Sequence, residues 1–170
     1  MRLRQAKGTV RPAVVYECER RLQINAPADM VWRWMADVRR LLGLNIFHAA
    51  VDYPEPVMRA GLQVPIRHNI CGLYRQTRLA RIRAYRKYFV AWGELQEHGI
   101  DRFPHSQSFT VVPLDAQSCV IINRLRGQFR IPGARYWFLP LYSQLAPRIL
   151  DYENRRIAAS VAVLEMEKGD

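Results

Sequence analysis

From Val14 to Ile24 apolar and polar residues alternate: Tyr16, Cys18, Leu22 and Ile24 share one parity, and Glu17, Glu19, Arg21 and Gln23 the other. A period of two predicts a half-buried strand. Arg20 falls on the apolar parity, where a charge needs a counter-ion or an opening to water; it either reaches solvent or faces a ligand. Near the other end the period becomes helical. Ala146, Leu150, Ile157, Val161 and Leu164 form one stripe, with Asp151, Arg155, Arg156 and Glu165 mostly elsewhere around the wheel. A helix from about Pro147 to Met166 would be ~30 Å long, enough to cross a small domain. Pro140 and Pro147 predict a short aromatic lead-in helix and a kink before it.

Between these ends, Asn25-Ala26-Pro27-Ala28-Asp29 reads as a helix start, with Asn25 or Ala26 as cap, Pro27 in the first turn and Asp29 at the positive end of the dipole. Val31, Trp32, Met35 and Val38 follow at helical spacing. The helix pauses near Asp37 and resumes through Leu41 and Leu42 up to Gly43, giving two short helices in a V. Strands are then predicted over Phe47 to Tyr53, Leu62 to Ile70, Tyr74 to Tyr85, Tyr88 to Gln96, Pro104 to Val112 and Cys119 to Phe129. The breakers between them, such as Cys71-Gly72, Arg86-Lys87 and Pro113-Leu114-Asp115, leave short connections that favour an antiparallel meander.

The order of strand, two short helices, six strands and long helix resembles the helix-grip fold of the START-type (SRPBCC) superfamily, which includes plant pathogenesis-related allergens, polyketide cyclases and lipid or coenzyme Q carriers. Two local matches accompany the final helix. Ile24-Asn25-Ala26-Pro27-Ala28-Asp29-Met30-Val31-Trp32 is similar to the family's I-x-A-P-x-x-x-V-W at its first helix, and Phe109-Thr110-Val111-Val112-Pro113-Leu114 resembles the F-x-V-x-P-L before its last hairpin. The resemblance spans about Val14 to Leu164. It implies an α+β fold in which a curved antiparallel seven-stranded sheet wraps around the C-terminal helix, with a cavity between them for a hydrophobic or amphipathic small molecule. It carries over no catalytic residues.

One parity of each strand should face that cavity. The sets are Leu62, Val64, Ile66, His68 and Ile70; Tyr88, Val90, Trp92, Glu94 and Gln96; and His105, Gln107, Phe109 and Val111. A one-residue register shift would turn a whole set outward. His68, Trp92, Glu94, His105, Gln107 and Phe109, with Tyr142, Ile149 and Glu153 from the last segment, are therefore the expected ligand-binding residues. Asp101 to Phe109 is the least generic stretch. There, His105 with Glu94 across a hairpin offers a proton relay for a cyclase or isomerase, whereas the alternative has His105 and Gln107 satisfying groups at the cavity mouth. His48 and His68 could extend such a cluster. A metal set of His48, His68 and His105 has no ligand spacing in sequence, so no metal is expected, nor any other cofactor. Glu153 interrupts the apolar stripe and either pairs with an inward Arg such as Arg20 or faces the ligand.

Composition adds boundaries. A chain of 170 residues suits a single domain over 14–170, behind a flexible basic stretch at 1–13. Apolar residues make up 49% of the sequence, yet no run approaches the ~20 needed to span a bilayer. Met1 to Pro12 lacks the apolar core of a secretory signal, so a cytoplasmic location is expected. Cys18, Cys71 and Cys119 are scattered, which suits buried free thiols in a reducing compartment. The net charge of +11 comes mostly from Arg, and Arg75, Arg78, Arg81, Arg83, Arg86 and Lys87 are its densest run, to which Arg124 and Arg126 add if the last strand lies nearby. Such a surface attracts phosphates. No aromatic platform interleaves it, which speaks against nucleic acid. Tyr136, Trp137, Phe138, Leu139, Leu141 and Tyr142, flanked by Arg130, Arg135 and Arg148, read as core, or as a gate or anchor on an anionic membrane.

Overall fold

A computed structural model describes residues 14–70, 72, 74–95, 105–129 and 134–166. Residues 1–13, Cys71, Leu73, 96–104, 130–133 and 167–170 lie outside them. In chain order the elements are β1 (Val14–Ile24), α1 (Ala28–Met35), α2 (Val38–Leu42), β2 (His48–Val51), β3 (Gln63–Ile70), β4 (Tyr74–Arg86), β5 (Phe89–Leu95), β6 (His105–Pro113), β7 (Cys119–Phe129) and α3 (Ala134–Met166).

The strands form one antiparallel sheet in the order β1-β7-β6-β5-β4-β3-β2. Consecutive strands from β2 to β7 are neighbours, as their short connections require, and β1 closes the far edge against β7 over its whole length. Alternation decides the faces. Val64, Ile66, Ala80, Ile82, Val90, Trp92, Phe109, Val111 and Ile121 are buried, whereas Arg75, Arg81, Arg124 and Arg126, of the opposite parity, are exposed. The strand ends fall within a residue or two of the predicted bounds: β2 is the most shortened, to four residues with a bulge between His48 and Ala50, whereas β4 and β6 run one residue further at their C-terminal ends.

α1 starts later than the cap residues suggest, with Pro27 itself at the N-cap and no side-chain cap bond. Asp37 then caps α2, accepting from the backbone N–H groups of Arg39 and Arg40. The β4–β5 hairpin turns through Lys87 and Tyr88, and Tyr88 takes φ of 65°, an unusual conformation for an aromatic residue. Its hydroxyl donates to Asp29 at 2.9 Å and its ring meets Trp32 edge-on, so α1 holds the turn in place.

α3 is one helix of 33 residues, not a lead-in helix and a separate long one. Pro140 and Pro147 each lack one N–H, but the bonds on either side carry the helix through. Ala146, Ile149, Leu150, Ile157 and Val161 are buried along its stripe. Burying a side chain the size of Ile157 stabilises by about 2 kcal/mol. The helix packs on β1, β7 and α1. Its first turns carry Tyr136, Trp137 and Leu141 exposed, at 81%, 57% and 62%, so these residues are not core. No helix among the described residues is long and apolar enough to cross a membrane.

Candidate ligand cavity

Where α3 leans away from the β2 side of the sheet, a cavity of about 270 Å³ opens between them. Its apolar wall is Phe47, Leu125, Leu145, Ile149 and Leu150, joined by Tyr142. Its polar wall is His48, His68, Arg78, Glu94 and His105 on the sheet, with Asn45, Gln107 and Glu153. Of the expected ligand-binding residues, His68, Glu94, His105, Gln107, Tyr142, Ile149 and Glu153 line it. Trp92 and Phe109 do not; both are core residues, 1% exposed.

The sheet-side polar residues form a row. β6, β5, β4, β3 and β2 are consecutive neighbours, and each contributes one inward side chain: His105, Glu94, Arg78, His68 and His48. Glu94 sits at the centre. Its Oε2 accepts from Arg78 Nη1 at 2.6 Å; its Oε1 lies 2.6 Å from His68 Nε2, 3.5 Å from His105 Nε2 and 4.0 Å from His48 Nε2. The closest histidine is therefore His68, not the hairpin neighbour His105. Burial works to raise the Glu94 pKa, but the His68 hydrogen bond, the nearby histidines and the Arg78 guanidinium outweigh it and hold the carboxyl well below its usual range.

His48 is fixed from behind. Its Nδ1 is 2.5 Å from the carbonyl oxygen of Leu42, in the last turn of α2, where helix carbonyls have no partner of their own. A carbonyl only accepts, so Nδ1 carries the proton and the neutral ring presents the Nε2 lone pair to Glu94. Burial lowers its pKa to about 4. The Trp92 ring meets His48 and His105 edge-on, at centroid distances of 5.7 and 5.9 Å, and braces both. Gly93 permits the approach of β6, because a Cβ there would come within 2.9 Å of the His105 carbonyl oxygen. His68 Nδ1 is buried without a hydrogen-bond partner.

The helix wall carries the second acid. Glu153 is 1% exposed, and its Oε2 accepts from Gln107 Nε2 at 2.5 Å and Asn123 Nδ2 at 2.9 Å; Oε1 has no partner. Burial outweighs the amides of Asn123, Gln107 and Asn45 and the charge of Arg156, and pushes its pKa up to about 7. Glu153 does not pair with Arg20. That arginine reaches outward to Asp151, at 3.4 Å, with both side chains substantially exposed.

Arg78 and Asn123 are site residues that the basic run and the β7 pattern concealed. Parity was the available signal: Arg78 shares it with Ala80 and Ile82, and Asn123 with Ile121 and Leu125. Arg124 and Arg126 are separated from β4 by two strands and pair with Glu19 and Glu17 on the outer face. A larger, open depression on that face, about 650 Å³, is bordered by these pairs and by Arg83. Cys18 and Cys119 are free thiols.

A seven-stranded antiparallel sheet gripping a long C-terminal helix over an internal cavity defines a helix-grip protein of the α+β class. The chain has the START-type form of that fold. It superposes on a START superfamily protein from Mycobacterium smegmatis with a TM-score of 0.65 at 17% identity, over 87% of this chain and 98% of that one. An aromatase/cyclase, Zhui, from Streptomyces gives 0.62 at 18% identity, over 85% and 94%. Norcoclaurine synthase from Thalictrum flavum, in complex with dopamine and hydroxybenzaldehyde, gives 0.61 at 14% identity, over 92% and 95%. No protein-family model matches the sequence. No curated protein aligns with it significantly.

Proposed function

We propose that this protein binds a compact amphipathic small molecule between the sheet and α3. The apolar body would lie against Leu125, Leu145, Ile149 and Leu150, and the polar end against the Glu94 row. The observation that carries this reading is the cavity itself, apolar on one wall and charged on the other, the usual make-up of a small-molecule site. Its 270 Å³ lies at the small end of such sites, which favours a compact ring system over a long acyl chain. Recognition of phosphates by the outer face has less support there, because Glu19 and Glu17 already pair with Arg124 and Arg126 on β7.

The test is a fluorescence titration with hydroxylated mono- and bicyclic aromatic probes, beside native mass spectrometry of the purified protein for a co-purifying compound. Saturable one-to-one binding is expected. Leu145→Trp, which fills the cavity from its half-exposed rim, should weaken it at least about tenfold, or ~1.4 kcal/mol, with unchanged melting. Binding that is absent, or indifferent to Leu145→Trp, would sink the proposal.

Glu153 favours a second reading, proton transfer of the cyclase or isomerase type. A cavity-lining carboxyl with a free oxygen and a pKa near 7 can both give and accept a proton at neutral pH. A substrate-independent assay is deuterium incorporation from D2O into carbonyl compounds incubated with the protein, followed by NMR. Exchange should be catalysed by the wild type and lost in Glu153→Gln; equal exchange in both would remove Glu153 from any catalytic role.

A further inference from the structure

The polar row on the sheet gathers side chains that can each offer an electron pair to a cation. The ligand atoms of His48, His68 and Glu94 all lie within 4.8 Å of one another. They come from β2, β3 and β5, so only the sheet brings them together. Two of these groups, His48 Nε2 and Glu94 Oε1, face each other as lone pairs across 4.0 Å with no proton to share, since the His48 proton is committed to Leu42. A divalent ion drawn between them would take up both electron pairs.

We infer that His48, His68 and Glu94 form a binding site for a divalent transition-metal ion of the zinc type. Imidazole nitrogens and one carboxylate suit such ions. Bonds of about 2.0–2.2 Å in tetrahedral array place ligand atoms roughly 3.4 Å apart. The Glu94 oxygen stands 4.0 Å from His48 and 2.6 Å from His68. Insertion therefore asks the His48 and His68 nitrogens to shift relative to it by roughly 0.6 and 0.8 Å, in opposite senses. The one bond sacrificed is that between His68 and Glu94, whose proton leaves as the metal enters.

Outer contacts for two of the three ligands, His48 and Glu94, are already in place. The Leu42 carbonyl orients His48 through its outer nitrogen, and Arg78 holds the outer carboxylate oxygen of Glu94, leaving Oε1 for the ion; both are the second-sphere contacts that metal ligands use. Trp92 fixes the His48 ring. The row borders the cavity, so a coordination position would open toward a bound molecule. This deepens the cavity reading, since an oxygen atom of the ligand would complete the site.

The experiment uses tag-free, full-length protein, stripped with chelator and titrated with Co²⁺ and then Zn²⁺ in the absence of any organic ligand. One cobalt per chain is expected, with visible d–d absorption, no thiolate charge-transfer band, displacement by Zn²⁺, and a rise in Tm. His48→Gln, on the short edge strand β2, and His68→Gln should each weaken binding at least about a hundredfold, beyond what loss of an outer hydrogen bond costs. X-ray absorption of the zinc-loaded wild type should give a shell of nitrogen and oxygen with imidazole scattering, which holds even where a variant folds poorly. No cobalt spectrum at millimolar metal, a sulfur-containing shell, or full binding by His48→Gln overturns the inference. Aromatic-probe titration of the metal-free protein reads the cavity separately, so the two proposals fail independently.

Discussion

Two buried glutamates line one cavity and behave as opposites. Glu94, on the sheet wall, meets a guanidinium and three imidazoles. Glu153, on the helix wall, meets the neutral amides of Gln107, Asn123 and Asn45. Burial raises the pKa of both. Only Glu94 has cations close enough to reverse the effect, so it stays ionised while Glu153 is poised near neutrality, at about 7. Burial alone therefore does not decide the charge of an interior acid; its partners do. The cavity gains a permanently polar end and a titratable side from the same residue type.

The largest expected effect breaks the sheet wall. Glu94→Gln leaves Arg78 and the histidines without their counter-charge, and should destabilise the fold by about 4 kcal/mol at pH 7. Urea denaturation measures it. A loss under about 1 kcal/mol would mean that Arg78 finds water instead, through its partly exposed side.

The next effect sharpens the contrast through pH. Glu153 binds its proton more tightly in the folded chain, where its pKa is about 7, than at its ordinary 4.5. Below pH 4.5 both states are protonated and it costs nothing. As pH rises from 4.5 to 7 the unfolded chain ionises first and stability falls, by roughly 3 kcal/mol in all. Glu153→Gln removes that slope, so the variant should gain on the wild type across this window and hold the gain above it. The charged and titratable neighbours are Arg156 and Tyr142 on its own helix; β6 and β7 offer it Gln107 and Asn123, and the Glu94 row lies across the cavity. Paired denaturation curves from pH 4 to 8, run in chelator, isolate the difference. A parallel pair of profiles would mean that Glu153 binds its proton equally well in the folded and the unfolded chain. Glu94 has the reverse sign: its depressed pKa gives stability that is present above about pH 4.5 and lost as the pH falls further.

Much of this was written locally. Alternation placed Leu62, Val64, Ile66 and His68 inward, as it did Val90, Trp92 and Glu94, and the helical stripe placed Leu150, Ile157 and Val161. Arg78 was hidden because a run of like charges reads as one solvated surface until each residue is assigned a face. Glu153 was matched to Arg20 because both interrupt apolar faces, yet Arg20 meets Asp151. The exposed Tyr136, Trp137 and Leu141 read as core by composition, and nothing in their spacing said that the sheet ends before reaching them.

The sequence by itself determined the order of elements and which side of each strand faces inward, because a period of two or of 3.6 is a property of adjacent residues. Tertiary structure alone decided the convergence of His48, His68, Arg78, Glu94 and His105, for which five strands must stand side by side in one register. That register is set by long-range pairing and by the curvature over α3. A proton's position on Glu153, or a metal's between three strands, depends on distances of an ångström that no local pattern encodes.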